Sequence, residues 1–327
     1  MTILNVYLIG TIMFVRPDQV NQPLYVICPI FNPIRYRSRW KLFKDFSYMV
    51  RKSGAKLVVV EVAFGARDFV LGPEDCDIYV PLRSKDELWI KENAINVGFS
   101  RLPADWEYAA WIDGDITFSR GDWDNETVHQ LQHYPIVQMF SQSADLSPSY
   151  DIVRTFRSYG YCFNNGIPRK GLDAQNDYYS GEYWHSGYAW AIRREAFNQL
   201  GGLVDFAILG GADLFMANIL CNQDIKFPKS LGPSGIRWLQ AWKDNADKFI
   251  RQNVGYVDGL ILHYFHGKKQ DRRYKDRGTI LVDADFDPEI DLKRDYQGLW
   301  QLNPENVKLR DGIKQYLRQR NEDSIDL

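Results

Sequence analysis

Apolar residues fall in short runs separated by turn-forming residues over most of the chain. The run Tyr25-Val26-Ile27-Cys28-Pro29-Ile30, halted by Phe31-Asn32-Pro33, predicts a buried strand that ends in a loop. Over residues 35–52 the period lengthens. Tyr36, Trp40, Phe43, Phe46, Met49 and Val50 recur every three or four positions with Arg37, Arg39, Lys41 and Lys44 between them, which predicts an amphipathic helix whose basic face is solvated. Residues 57–62 are β-branched and predict a second strand, 77–81 a third, and 87–99 a helix. A further strand over 106–112 runs straight into Asp113-Gly114-Asp115. Residues 135–140 read as a strand, and 193–200 and 212–221 as helices, on either side of Gly201-Gly202 and Gly210-Gly211. Between them, 141–181 is polar and rich in Asn, Asp, Gly and Tyr, which predicts a loop.

Strand, helix, strand in this order implies right-handed parallel crossovers and an α/β fold with a mainly parallel sheet flanked by helices. At 327 residues the chain has room for one large domain, expected over 1–304, with a charged helical tail over 305–327. An apolar fraction of 45% and a charged fraction of 25% argue against disordered and fibrous classes. The net charge of −2 gives no whole-chain reason to bind nucleic acid or an anionic membrane, so any polyanion site must be local. The four cysteines, Cys28, Cys76, Cys162 and Cys221, show no paired spacing and are expected as reduced, buried thiols. The apolar run 3–15 is short and has no basic residue ahead of it. It is expected as strand-forming chain, and the protein as cytoplasmic with no membrane span.

The chemistry gathers at a few junctions. In open α/β sheets ligands collect at the carboxyl ends of strands, and Asp113 and Asp115 stand at one such end. Two hard oxygen donors suit Mg²⁺ or Mn²⁺, and Gly114 between them allows close approach of a diphosphate. His263-Tyr264-Phe265-His266 places two imidazoles close together in a chain with five histidines, which shifts the preference toward Mn²⁺. The alternative is an unrelated loop and two unrelated histidines. Lys268, Lys269, Arg272, Arg273, Lys275 and Arg277 follow at once; they suit a departing diphosphate, a solvated loop or a polyanionic acceptor. Asp213, after Gly210-Gly211-Ala212, is either a general base or a helix cap.

In chain order these segments resemble the GT-A glycosyltransferases, most closely the catalytic region of the β-1,4-galactosyltransferase family. Asn96-Val97-Gly98-Phe99, a spacer with Trp106-Glu107-Tyr108, and Asp113-Gly114-Asp115 are similar to that family's Asn-Val-Gly-Phe helix and metal-binding Asp-x-Asp. Ser186-Gly187 onward and Gly201-Gly202-Leu203 are similar to the segment around its donor and acceptor pockets. The likeness covers roughly residues 28–277. It implies a nucleotide-diphospho-sugar transferase with Mn²⁺ or Mg²⁺ held by Asp115 and His266, and by His263 where the family has methionine. Asp213 matches the catalytic aspartate, although Ala212 replaces the glutamate before it and Leu209 the aromatic residue ahead of the glycines. The resemblance further implies donor contacts from Pro29, Phe31, Asn32, Arg35, Asn93, Asp113, Gly187, Lys268, Lys269 and Arg272, and acceptor contacts from Tyr183, Trp184, Gly211 and Ala212.

The family's members are anchored and disulfide-bonded, whereas this chain shows neither feature and is more like a bacterial or phage cytoplasmic branch. The expected reaction is inverting transfer from a nucleotide-sugar, a UDP-sugar first, to a hydroxyl on a glycan. Hydroxymethylated pyrimidines in DNA are the alternative acceptor, with Tyr178, Tyr179, Tyr183 and Trp184 available for base stacking. A non-catalytic sugar-nucleotide-binding module and a metal-dependent hydrolase are the readings from other classes.

Overall fold

The computed structural model describes residues 22–169, 183–223 and 227–326. The expected strand at 3–15, together with Tyr178 and Tyr179, lies outside them. The strands in chain order are β1 Leu24–Phe31, β2 Lys56–Phe64, β3 Ile78–Ser84, β4 Tyr108–Ile112, β5 Ile116–Phe118, β6 Ile136–Gln138 and β7 Gln142–Leu146. They continue as β8 Ile152–Ser158, β9 Trp184–His185, β10 Ala189–Arg193, β11 Val254–Tyr256, β12 Leu260–His263, β13 Leu292–Arg294 and β14 Trp300–Leu302.

Seven of them form one sheet in the order β11-β6-β10-β4-β1-β2-β3. The run β4-β1-β2-β3 is parallel, and β10 alone is reversed, lying antiparallel between β4 and β6. This is the mixed, mainly parallel α/β arrangement that the hydrophobic pattern implies. Its central strands are buried on both faces, and their residues alternate between two cores. Ile27, Val58 and Val60 belong to one core, while Val26, Cys28, Leu57 and Val59 belong to the other. Helix Lys91–Phe99 covers the first face with Ala94, Ile95, Val97 and Phe99. Helix Arg37–Ser53 covers the second with Phe43, Phe46 and Val50, and Gly54 at φ 102° ends it. Each fully buried Val, Ile or Phe among these contributes about 1.5–3 kcal/mol.

A second sheet, β5-β12-β7-β8-β9, is built largely from chain that composition reads as loop. Residues 142–146 and 152–158 are strands, and Tyr159–Asn164 is a helix. Hydropathy hides β7 because Ser143 and Asp145 are polar yet buried, the strand being enclosed between β12 and β8. The helix expected from residue 87 begins at Lys91. Glu87 stays outside it, paired with Arg67 at 3.7 Å and Arg318 at 2.9 Å.

The stretch after Glu305 contains helix Val307–Gln319, whose Leu309, Ile313, Tyr316 and Leu317 share the first core. The residues beyond that helix are tied to the start of helix Arg37–Ser53. The Asp323 carboxylate accepts the amides of Arg37 at 2.9 Å and Ser38 at 2.8 Å, and the Tyr36 hydroxyl donates to the carbonyls of Leu317 and Arg318. All four cysteines are buried and unpaired. Among the described residues no helix is long and apolar enough to cross a membrane.

Candidate metal centre

The main sheet delivers two of its parallel strands, β1 and β4, to one edge. There the backbone of Asp113-Gly114-Asp115 leaves β4 and enters β5. The β5–β12 pairing sets His263 opposite Ile116, the residue after Asp115, and the Tyr264 amide donates to the Asp115 carbonyl at 2.9 Å. Asp115, His263 and His266 therefore converge, each offering one ligand atom within 4.8 Å of the others. His266 Nε2 lies 3.0 Å from Asp115 Oδ2 and 3.3 Å from His263 Nε2, and His263 Nε2 lies 4.0 Å from Asp115 Oδ1. Asp113 is held differently. Its amide donates to the Tyr188 carbonyl at 2.8 Å, and its carboxylate is paired with Lys91. Gly114 packs on the strand beneath, where a Cβ would sit 3.1 Å from Cys28 Sγ.

Electrostatics separate the two acids. Burial would raise the Asp115 carboxyl, but His266, His263 and Arg39 outweigh it and hold the group well below the usual carboxylate range. Asp113 is raised by burial, Lys91 opposing and Asp115 adding to the rise. Burial pushes His263 below its ordinary value against the pull of Asp145 and Asp115, which favours a neutral imidazole. A carboxylate and two imidazoles are a donor set suited to a divalent first-row cation. Asp115 Oδ1 is buried with no hydrogen-bond partner, a costly arrangement that a bound cation would relieve. The residues present fit such an ion.

The cluster opens into a cleft of about 1510 Å³. Of the residues proposed for donor, acceptor and catalytic contacts, Pro29, Phe31, Asp113, Tyr183, Gly187, Gly211, Asp213, Lys269 and Arg272 line it. Asp213 is the second residue of helix Ala212–Leu220, whose N-cap is Gly211 at φ 102° with no side-chain cap bond, so it does not act as the cap. It instead receives the Ser186 hydroxyl at 3.2 Å. A Cβ on Gly187 would lie 2.8 Å from Asp213 Oδ2, so the missing side chain leaves room for that carboxylate.

Six expected contacts lie off the lining. Asn32 is folded back on its own turn, its amide donating to the Tyr36 carbonyl at 2.8 Å and its oxygen accepting the Tyr36 amide at 2.9 Å. Arg35 occupies that turn at φ 64°. Asn93 points into the core, donating to the Gly298 carbonyl at 3.0 Å and accepting the Trp300 amide at 2.9 Å. Trp184 is buried edge-on against Tyr159, Ala212 is fully buried, and Lys268 is the N-cap of the short helix Lys269–Arg272.

Other lining residues carry no signal at their own positions. Arg39 leaves the expected solvated face to hold Glu322 at 2.5 and 2.8 Å, Arg320 grips the same carboxylate at 2.6 Å, and Glu322 lies 3.7 Å from His266. Lys91 and Glu92 open helix Lys91–Phe99 into the cleft. Burial raises Glu92 to about 8, with the Asp213 and Asp113 charges adding to the rise and Lys91 opposing it. The hydrophobic pattern starts this helix at residue 87, which leaves the pair inside it, so its place at the helix start is visible only in the fold.

No protein-family model and no curated protein matches the chain. Solved structures do. The catalytic domain of Drosophila β1,4-galactosyltransferase 7 with xylobiose matches at 14% identity and TM-score 0.33, over 63% of this chain and 64% of that one. This chain thus spans less than two thirds of that relative. Glucosyl-3-phosphoglycerate synthase from Mycobacterium tuberculosis, with Mn²⁺, UDP-glucose and phosphoglyceric acid, matches at 11% and TM-score 0.42, over 86% and 87%. A 4-diphosphocytidyl-2C-methyl-D-erythritol synthase from Anaerococcus prevotii matches at 11% and TM-score 0.34, over 90% and 99%. Likeness at this level assigns no residue role.

Proposed function

We propose that the chain is a metal-dependent glycosyltransferase that moves a sugar from a nucleotide-diphosphate donor, a UDP-sugar first, to a glycan hydroxyl with inversion. The observation that carries the reading is the convergence of Asp115, His263 and His266 at a strand's carboxyl end, facing a cleft that also holds Asp213. Mn²⁺ or Mg²⁺ bound by those three residues would supply Lewis acidity to the departing diphosphate. Asp213 accepts the acceptor proton as that oxygen bonds to the anomeric carbon. The bond from that carbon to the diphosphate oxygen breaks, and its electron pair leaves with the nucleoside diphosphate. Lys269 and Arg272 offset the charge that develops there. Glu92 lines the same cleft, where burial raises its carboxyl to about 8. Tyr183 supports the acceptor contact; Trp184, buried away from the lining, does not. Four buried, unpaired thiols support a reducing, cytoplasmic setting.

Mass spectrometry of transfer from UDP-sugars to a saccharide panel and to hydroxymethylated DNA, with Mn²⁺ or EDTA, tests the reading. Mn²⁺-dependent transfer to a saccharide is expected. Transfer to DNA alone reassigns the acceptor. Release of free sugar without an acceptor requirement points to a hydrolase and contradicts the proposal.

A further inference from the structure

His263 lies between two carboxylates because of strand register. On one side β12 pairs with β5, setting His263 opposite Ile116, beside Asp115. On the other it runs parallel to β7, setting His263 opposite Asp145. Asp145 Oδ1 is 2.8 Å from His263 Nδ1. A carboxylate can only accept, so Nδ1 carries the hydrogen, and in the neutral imidazole Nε2 then keeps its lone pair on the side of Asp115 and His266. That is the tautomer a metal ligand needs.

Asp145 is itself braced. The Tyr188 hydroxyl donates to Oδ1 at 2.9 Å, and the Lys269 ammonium is paired with Oδ2. Tyr188 is fixed at φ 74°, its ring stacked on His185 at 3.8 Å and 9°, while its carbonyl accepts the Asp113 amide. One residue therefore connects the acid pair to the carboxylate behind His263. Lys269, read from sequence as a diphosphate contact, is also part of this brace.

We propose that Asp145, braced by Tyr188 and Lys269, is a positioning residue that fixes His263 as an Nδ1-protonated ligand and so sets the site's affinity for a divalent cation. The proposal rests on the metal reading of Asp115, His263 and His266. If Asp145 served only to neutralise Lys269, its removal would act on stability and not through His263.

The test is a double-mutant cycle on the full chain, read as Mn²⁺ affinity from the free-ion EPR signal without any nucleotide, with circular dichroism to check folding. Asp145→Ala should weaken Mn²⁺ binding about 10- to 100-fold, the usual effect of losing such an outer partner. Asp145→Asn, which keeps the shape and one acceptor oxygen, should weaken it less, and carries the test if the alanine variant fails to fold. In a His263→Ala background neither change should cost further affinity. Wild-type affinity in the folded variants, or an equal loss without His263, overturns the positioning role alone. Absence of Mn²⁺ binding by the wild type, or its retention at full strength in Asp115→Ala, overturns the metal reading and this proposal with it.

Discussion

Asp213→Asn separates a catalytic from a structural role, because the two predict effects of different size in different assays. The helix that carries Asp213 has Gly211 as its N-cap without a side-chain cap bond, and among the described residues the carboxylate receives one hydrogen bond, from Ser186. Asparagine keeps the shape and an acceptor oxygen for that bond. What it removes is a negative charge in the first helical turn, worth about 0.3–1 kcal/mol. Stability should therefore fall by about 1 kcal/mol or less. A general base contributes roughly 10²- to 10⁴-fold to the rate, which at ~1.36 kcal/mol per decade is about 2.7–5.4 kcal/mol of barrier. The assay is steady-state transfer with saturating UDP-sugar and Mn²⁺, beside calorimetric UDP–Mn²⁺ binding and urea denaturation of the same preparations. Turnover should fall by two to four decades with donor binding and stability nearly unchanged. Turnover within a few-fold of wild type would refute the base assignment, and a parallel loss of donor binding would move Asp213 to a binding role.

Two further outcomes follow from the buried carboxyls. Glu92 has a folded-state value of about 8 against roughly 4.3 when unfolded, so its stabilising contribution is full below about pH 4 and is lost as pH rises toward 8. Glu92→Gln should flatten the fall in melting temperature between pH 5 and 8; an unchanged slope would mean that Glu92 is ionised in the fold. Glu322 sits between Arg39 and Arg320 and is 2% exposed, so Glu322→Gln leaves two guanidinium groups without their carboxylate and should cost about 3–5 kcal/mol in urea unfolding. A loss below about 1 kcal/mol would show that the pairing at the chain's end is dispensable.

The layered fold was readable where strands are buried on both faces, as in Val58-Val59-Val60, and where one helix face is apolar, as in Phe43, Phe46 and Val50. The grouping of Asp115 with both histidines was expected from the family resemblance, with residue type and the strand-end position of the acids beside it, and the three side chains do converge. Asp145 could not, since a strand carrying Gln142, Ser143 and Asp145 has no hydrophobic period and its partner lies 118 residues away. Asn93 shows how finely helix phase matters. Lys91 and Glu92 face the cleft, while one residue further on the side chain points into the core toward Gly298 and Trp300. The Glu322 clamp depends on the fold of the chain's end over the helix at Arg37, which no local pattern announces.

The most direct measurement is calorimetric binding of UDP, GDP, dTDP and CDP, each with and without Mn²⁺, to the wild type and to Asp115→Ala. One nucleoside diphosphate, expected to be UDP, should bind the wild type only when Mn²⁺ is present and should not bind the variant. Binding of none of the four, or equal binding without metal and to Asp115→Ala, would contradict the assignment of this cleft as a metal-dependent nucleotide-sugar site.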